Sequence, residues 1–320
     1  MIDYYVVSGV LAFIVTYILT SVIIPRLARA GITGEDENKP DKPKIPEMGG
    51  LAIVAGLTVG ILAAIFFNTF LGFEFNLIYM LAALITILLI AFIGVVDDLL
   101  SVPQWLKALL PLGAAIPLVA VSAVGSTVLG IPFVGGIDLG ILYIIILVPI
   151  GVAVASNLSN MFAGYNGMEA GMGCIIFLTI FLIAFSHSLP EMAIISISML
   201  AALLAFLKFN WFPAKVFPGD VGNLTIGGAL ASAVIIGNFE TAGALLMVPY
   251  VVDFFIKLKN RLPHTHSDIK DGRLYPKDGK VKGFVHLAMK LFGGMYERDL
   301  SVFFIAVEGV FAIILFWLYI

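Results

Sequence analysis

The chain has 320 residues, 61% of them hydrophobic and 12% charged, with a formal net charge of −3. A mean hydropathy of +1.08 excludes an ordinary water-soluble domain, and the slight acidity gives no general basic surface for nucleic acid. The single cysteine, Cys174, excludes an internal disulfide and a thiolate metal cluster.

A helix crossing the hydrocarbon needs about 20 apolar residues. Ten stretches approach that length: 3–24, 49–68, 77–96, 104–124, 138–159, 168–187, 191–209, 222–238, 241–258 and 301–320. The fold class is therefore all-α, a polytopic membrane protein with about ten transmembrane helices in one integral domain over 1–320. The first stretch has neither a basic leader nor a small-residue cleavage site and reads as a retained span. Every Lys and Arg falls in the odd-numbered loops or at their flanks, whereas the even loops and the termini carry only acids: Asp3, Glu74, Asp138, Glu191 and Glu240. The positive-inside rule predicts loops 25–48, 97–104, 160–167, 208–221 and 259–300 in the cytoplasm and both termini outside.

In chain order, the first basic loop mixes charge with prolines through Asp36, Glu37 and Glu47, and reads either as a solvated connector or as a segment folded over a ligand. The third span ends in Asp97-Asp98, with Lys107 beyond Pro103. Acids at a helix C-terminus oppose the macrodipole, so a cation, a metal or a bound phosphate is expected to favour them there. The outer loop 125–137 is apolar with Gly and Pro, consistent with a short hairpin.

A long apolar run then gives way to Asn157, Asn160, Gly164, Asn166, Gly167 and Glu169. Amides and a carboxylate at the end of a buried helix are costly unless they bind something, although a satisfied helix cap is the plainer reading. Asn157 and Asn160 share a helical face, and Asn166 offers a bidentate amide for a flat polar ring. Asp220, between Gly219 and Val221 before the eighth span, reads as an N-cap or as a hard-cation ligand; the two are compatible.

The loop 259–300 is the one sizeable soluble piece. It carries His264-Thr265-His266, which lacks the further ligand a zinc site requires. Two Asp-Gly pairs there predict a small hairpin. Residues 284–297 predict an amphipathic interfacial helix, with Phe284, Leu287, Ala288, Leu291, Phe292 and Met295 on the apolar face and His286 and Lys290 opposite. Glu308, inside the last span, is expected to pack.

Together, the run Asn157 to Gly171, Val216 to Asp220, Asp98 followed by Lys107, Ile45 to Gly50, Asp138 to Tyr143 and Glu297-Arg298-Asp299-Leu300 resemble the polyprenyl-phosphate N-acetylhexosamine-1-phosphate transferases, in particular their dolichyl-phosphate branch. The resemblance spans essentially the whole chain. It implies transfer of N-acetylglucosamine-1-phosphate from UDP-N-acetylglucosamine to a polyprenyl (dolichyl-type) phosphate, with release of UMP, at the first step of lipid-linked oligosaccharide synthesis. It also implies Mg²⁺, with Mn²⁺ as a substitute, held by Asn160 and Asp220. Asp97, Asp98 and Lys107 would be catalytic, with Asp98 the partner of Lys107. Lys107 and Asn157 would meet the lipid phosphate. Asp36, Glu37, Glu47, Gly164, Asn166, His264, Thr265 and His266 would line the nucleotide-sugar site, Asn166 reading the uracil. The family's Arg-x-Arg is replaced here by His264-Thr265-His266, which bears on the sugar, because imidazoles stand where permanent guanidinium forks are expected. The alternatives are another UDP-N-acetyl sugar or undecaprenyl phosphate, and, more distantly, a transporter. The reading leaves room for a homodimer.

Overall fold

A computed structural model of the protein describes residues 2–131, 135–262 and 267–320. The long apolar runs become helices because, in hydrocarbon, each backbone N–H and C=O must bond within its own segment. The chain opens with α1 (Ile2–Ala30), then an antiparallel pair, β1 (Thr33–Glu35) and β2 (Lys44–Pro46), with Thr33 opposite Pro46. α2 (Gly50–Leu71) and α3 (Leu77–Leu100) follow; Asn76 caps α3 by accepting the Tyr79 N–H at 3.1 Å. α4 (Gln104–Ala114) and α5 (Ile116–Ala120) are halves of one apolar stretch, parted where Pro117 has no N–H to continue the helix. β3 (Val128–Ile131) and β4 (Gly135–Asp138) form the hairpin expected in the outer loop.

A π-helical turn at Tyr143–Leu147 leads into α6 (Val148–Met161), followed by α7 (Met168–Ser186), α8 (Pro190–Asn210) and α9 (Gly219–Gly237). α10 (Glu240–Leu246) and α11 (Val248–Lys259) meet at a 57° bend where Pro249 interrupts the backbone ladder. β5 (Ser267–Lys270) and β6 (Arg273–Pro276) pair through Asp271-Gly272, both at positive φ as a tight hairpin turn requires. α12 (Phe284–Leu291) and α13 (Glu297–Tyr319) complete the chain.

Among the described residues, eight helices are long and apolar enough to cross a membrane, and the bent α10–α11 pair makes a ninth. The tenth expected span, 104–124, is the shorter broken pair α4–α5. This is an integral membrane protein. Tyr5 meets Phe73 and Phe185, and His187 lies 3.0 Å from the Tyr319 carbonyl oxygen. Both termini therefore lie at the same end of the bundle.

α9 is the hub. Its side chains are buried almost throughout, and it packs on α2, α3, α6, α7, α8 and α10. Small residues let the neighbouring backbones come close: a Cβ on Gly227 would stand 2.1 Å from the Ala155 carbonyl oxygen, and one on Gly94 would stand 2.4 Å from Val221 Cα. α1 and α13, facing outward, keep most of their apolar surface exposed, as lipid contact permits.

Two expectations are corrected. α1 runs to Ala30, so the loop expected from residue 25 begins at Gly31; Arg26 and Arg29 lie inside the helix and donate to the Val22 and Pro25 carbonyls at 2.6 and 3.1 Å. α12 is shorter than 284–297 and turned differently: Val285, His286, Ala288 and Met289 are buried, while Leu291 and Phe292 are exposed. His286 is placed inward because its Nδ1 accepts the Lys282 N–H at 3.3 Å, closing the turn that starts the helix.

Candidate active site

At the end of the bundle away from the termini, four loops and the ends of six helices line a cavity of about 1040 Å³. Asp36, Glu37, Glu47, Lys107, Asn157, Asn160, Gly164, Asn166 and Asp220, singled out from four separate stretches of sequence, all line it. His264, Thr265 and His266 lie outside the described residues.

The electrostatic centre is Lys107, whose ammonium contacts Oδ2 of both Asp97 and Asp220. The expectation that Asp98 would partner Lys107 is corrected. Successive helical residues point about 100° apart, so only one of the two carboxylates can face α4, and Asp97 does. Asp97 also accepts the Val102 N–H at 2.9 Å, beyond the left-handed Ser101 that ends α3. Asp98 faces α9 instead, accepting the Asp220 N–H at 2.8 Å and the Val221 N–H at 3.1 Å. α9 has no side-chain cap of its own. Asp98 thus supplies the missing acceptor at the positive end of that dipole, which is why an acid is tolerated at the negative end of its own. Gly219, at φ +69°, allows the approach: a Cβ there would fall 2.7 Å from Asp98 Oδ2.

Glu47 is brought to this cluster by backbone pairing. Phe217 N–H donates to Pro46 O at 2.8 Å, Gly49 N–H to Phe217 O at 2.9 Å and Gly50 N–H to Pro218 O at 2.8 Å. Burial, and secondarily the nearby Asp220 carboxylate, raises the Glu47 pKa above the ordinary carboxylate range.

The first loop is bound down over the opposite wall. Asn38 donates to Gly164 O at 2.9 Å, and Lys39 pairs with Asp36 at 3.0 Å and with Glu297 while lying 4.6 Å from the Phe212 ring centroid. Asn166 is enclosed by this network. Its Oδ1 accepts the Ala214 N–H at 2.6 Å, its Nδ2 donates to Asp36 at 3.2 Å, and its backbone engages Glu297 and Ser301 at 2.9 Å each. Both amide atoms expected to read a base are thus bonded within the protein. Asn157 is similarly committed, donating to Ala153 O at 2.8 Å and to Ala108 O at 3.2 Å, which ties α4 to α6.

Asn160 differs: its side-chain amide lines the cavity without a hydrogen-bond partner among the described residues. Asn223, one helical turn beyond Asp220, also lines the cavity; it is 6% exposed and its Oδ1 is unpartnered. Asp220 and these amides form an oxygen donor set that fits a hard divalent cation, which retains several waters of its own. Among the described residues, no group of three or more His, Cys, Asp or Glu side chains is placed to hold a metal ion by itself.

Three residues take organising roles that the sequence reading did not assign. Glu169 accepts the Gly164 N–H, and the Tyr165 N–H at 3.3 Å, shaping the turn before α7. Lys39 and Glu297 latch the first loop. Glu169 and Glu297 stand within motifs already singled out, and Asp36 and Lys39 have i,i+3 spacing, but Glu297 is remote in sequence from both loop residues.

Residues 80–238 match glycosyl transferase family 4. A Saccharolobus solfataricus protein, provisionally named a UDP-N-acetylglucosamine–dolichyl-phosphate N-acetylglucosaminephosphotransferase, is 37% identical over 95% of this chain and 93% of its own. The chain belongs to glycosyl transferase family 4. A Dictyostelium discoideum protein with the same name is 27% identical over 95% of this chain and 86% of its own. A phospho-N-acetylmuramoyl-pentapeptide-transferase of Halalkalibacterium halodurans is 31% identical over 76% and 78%. The resemblance read from the motifs thus names the right family, and the cavity is lined by residues of those same motifs.

Proposed function

We propose that this protein transfers N-acetylglucosamine-1-phosphate from UDP-N-acetylglucosamine to a polyprenyl phosphate of dolichyl type, releasing UMP. The observation that carries the reading is Lys107, bridged by Asp97 and Asp220 at the wall of a cavity lined both by charged and amide groups and by the apolar side chains of Val154, Val251, Phe254 and Phe255. Such a cavity suits two reactants, one a soluble anion and one an amphiphile. The names of the relatives favour the same substrates.

The difficulty of the reaction is charge. Two unit charges 4 Å apart repel by about 4 kcal/mol at an effective dielectric of 20, and both reactants are phosphorylated. The lipid phosphate is already ionised, its second pKa being about 6, so its oxygen attacks the β-phosphorus without a general base. The bond from the β-phosphorus to the bridging oxygen breaks, and that oxygen leaves with UMP. Lys107 orients the attacking phosphate, Asp97 aims Lys107, and Asp98 fixes Asp220 through the α9 amides. Mg²⁺, or Mn²⁺, held by Asp220 and Asn160, would neutralise charge between the two phosphates. Asn166 and Asn157 act as ties that hold the first loop and α4. In the cell, the cavity faces the cytoplasm and both termini face outward.

Purified protein in detergent is expected to release UMP from UDP-N-acetylglucosamine and dolichyl phosphate, and to stop when EDTA removes divalent ions. A panel with undecaprenyl phosphate and other UDP-N-acetyl sugars ranks the substrates. Absence of UMP from every pair overturns the reading.

A further inference from the structure

Lys257 is the second lysine on the cavity wall. Six acids line the same cavity, Glu35, Asp36, Glu37, Glu47, Glu169 and Asp220, and among the described residues Lys107 and Lys257 are the only cations there. Lys107 is shared between two carboxylates and already balanced. An anionic ligand entering so acidic a cavity needs a further positive group.

Lys257 is 6% exposed and is held from two sides. Its ammonium lies 2.7 Å from Asp253 Oδ2, one helical turn earlier on α11, and donates to the Met161 carbonyl at the end of α6. Asp253, 1% exposed, accepts the Phe284 N–H at 2.7 Å, which supplies the cap that α12 lacks. A lysine ammonium carries three N–H donors. Two have partners here, and the side chain borders the cavity beside Asn160 and Met161.

We infer that Lys257 is a second phosphate-contacting residue, its remaining N–H directed to a phosphate oxygen of the bound substrate. The inference rests on the reading above. The ligand chemistry is a phosphate ester oxygen, which the nucleotide diphosphate and the lipid phosphate both present. The pair with Asp253 holds the ammonium at the end of α6 before the ligand arrives, so no long side chain must be ordered on binding.

The test uses the full-length protein in detergent, with UDP, uridine and a short-chain polyprenyl phosphate as probes. Lys257→Met is expected to weaken UDP at least tenfold while leaving uridine within about twofold, because only UDP carries the phosphates; a tenfold step is 1.4 kcal/mol. If the lipid is the source, UDP is unchanged and the KM for polyprenyl phosphate rises instead. Lys257→Arg retains the charge and is expected to recover most of whichever affinity is lost. Asp253→Asn keeps an acceptor for Phe284 while removing the counter-charge, so it binds the phosphate at least as tightly as wild type. Uridine and UDP weakened equally, or neither phosphate probe affected, overturns the inference; equal loss means that Lys257 only props the end of α6. Wild-type protein that releases no UMP with any pair refutes the transferase reading instead, and is distinguishable because the binding arms do not depend on turnover.

Discussion

At the scale of single residues, two adjacent carboxylates with the same chemistry do different work because a helix turns between them. Asp97 meets Lys107, and Asp98 meets the first N–H groups of α9. Their substitutions separate accordingly. Asp98→Ala removes a helix cap and is expected to cost about 1 kcal/mol, read as a lower Tm in detergent together with slower UMP release. Lys107→Met leaves Asp97 and Asp220 facing each other without a cation. UMP release is expected to fall about 100-fold or more, the range for loss of one pre-organised electrostatic group. The cost in stability stays towards the low end for a broken buried pair, about 3 kcal/mol, because the Asp220 side chain keeps 27% of its surface. Glu47 adds a pH dependence. Its folded-state pKa is raised by burial and then by Asp220, so its contribution is fully present below the ordinary carboxylate range and drains away as pH rises through the raised value. Glu47→Gln is therefore expected to hold its Tm across that rise while wild type loses Tm, and parallel curves contradict it.

At the scale of elements, the site depends on how closely α9 can be approached. Gly94 of α3 touches the Val221 backbone, and Gly50 of α2 would bring a Cβ within 2.2 Å of the Gly222 nitrogen. Gly94→Ala must push α9 away and carry Asp220 with it. UMP release is expected to drop more than tenfold, while Gly113→Ala, with nothing within 4 Å of its added carbon, leaves activity unchanged. The first loop is an element of a second kind, with little core of its own. The pairing of Pro46 and Gly49 with Phe217 anchors its end, and Lys39, Asn38 and Asp36 hold its middle. Lys39→Met is expected to speed proteolytic cleavage between residues 36 and 44 several-fold, and added UDP to slow it again if the loop closes on nucleotide.

At the scale of the whole molecule, the separation of charge along the bundle axis is expected to set its orientation. The basic loops share the end that holds the cavity, while Glu74, Asp138, Glu191 and Glu240 mark the other. With Cys174 replaced by Ala, Lys42→Cys is expected to resist an impermeant thiol reagent in intact cells and Glu74→Cys to react, both positions being exposed. The reverse pattern overturns the orientation without touching the fold.

Sequence by itself determined the membrane class, the family and the residues that gather at the cavity, because each depends on local composition or on short motifs. Apolar runs fix helices wherever water is absent, and residues that carry chemistry stand out against them. Tertiary structure decided the pairings. Which aspartate meets Lys107 follows from helix phase and from the distance between α3, α4 and α9. The occupation of both Asn166 amide atoms follows from Asp36 and Ala214, 130 and 48 residues away. The cation at Lys257 acquires its setting only when the bend at Pro249 brings α11 against the end of α6. A motif names its atoms, but their partners come from distant segments that meet only when the helices pack.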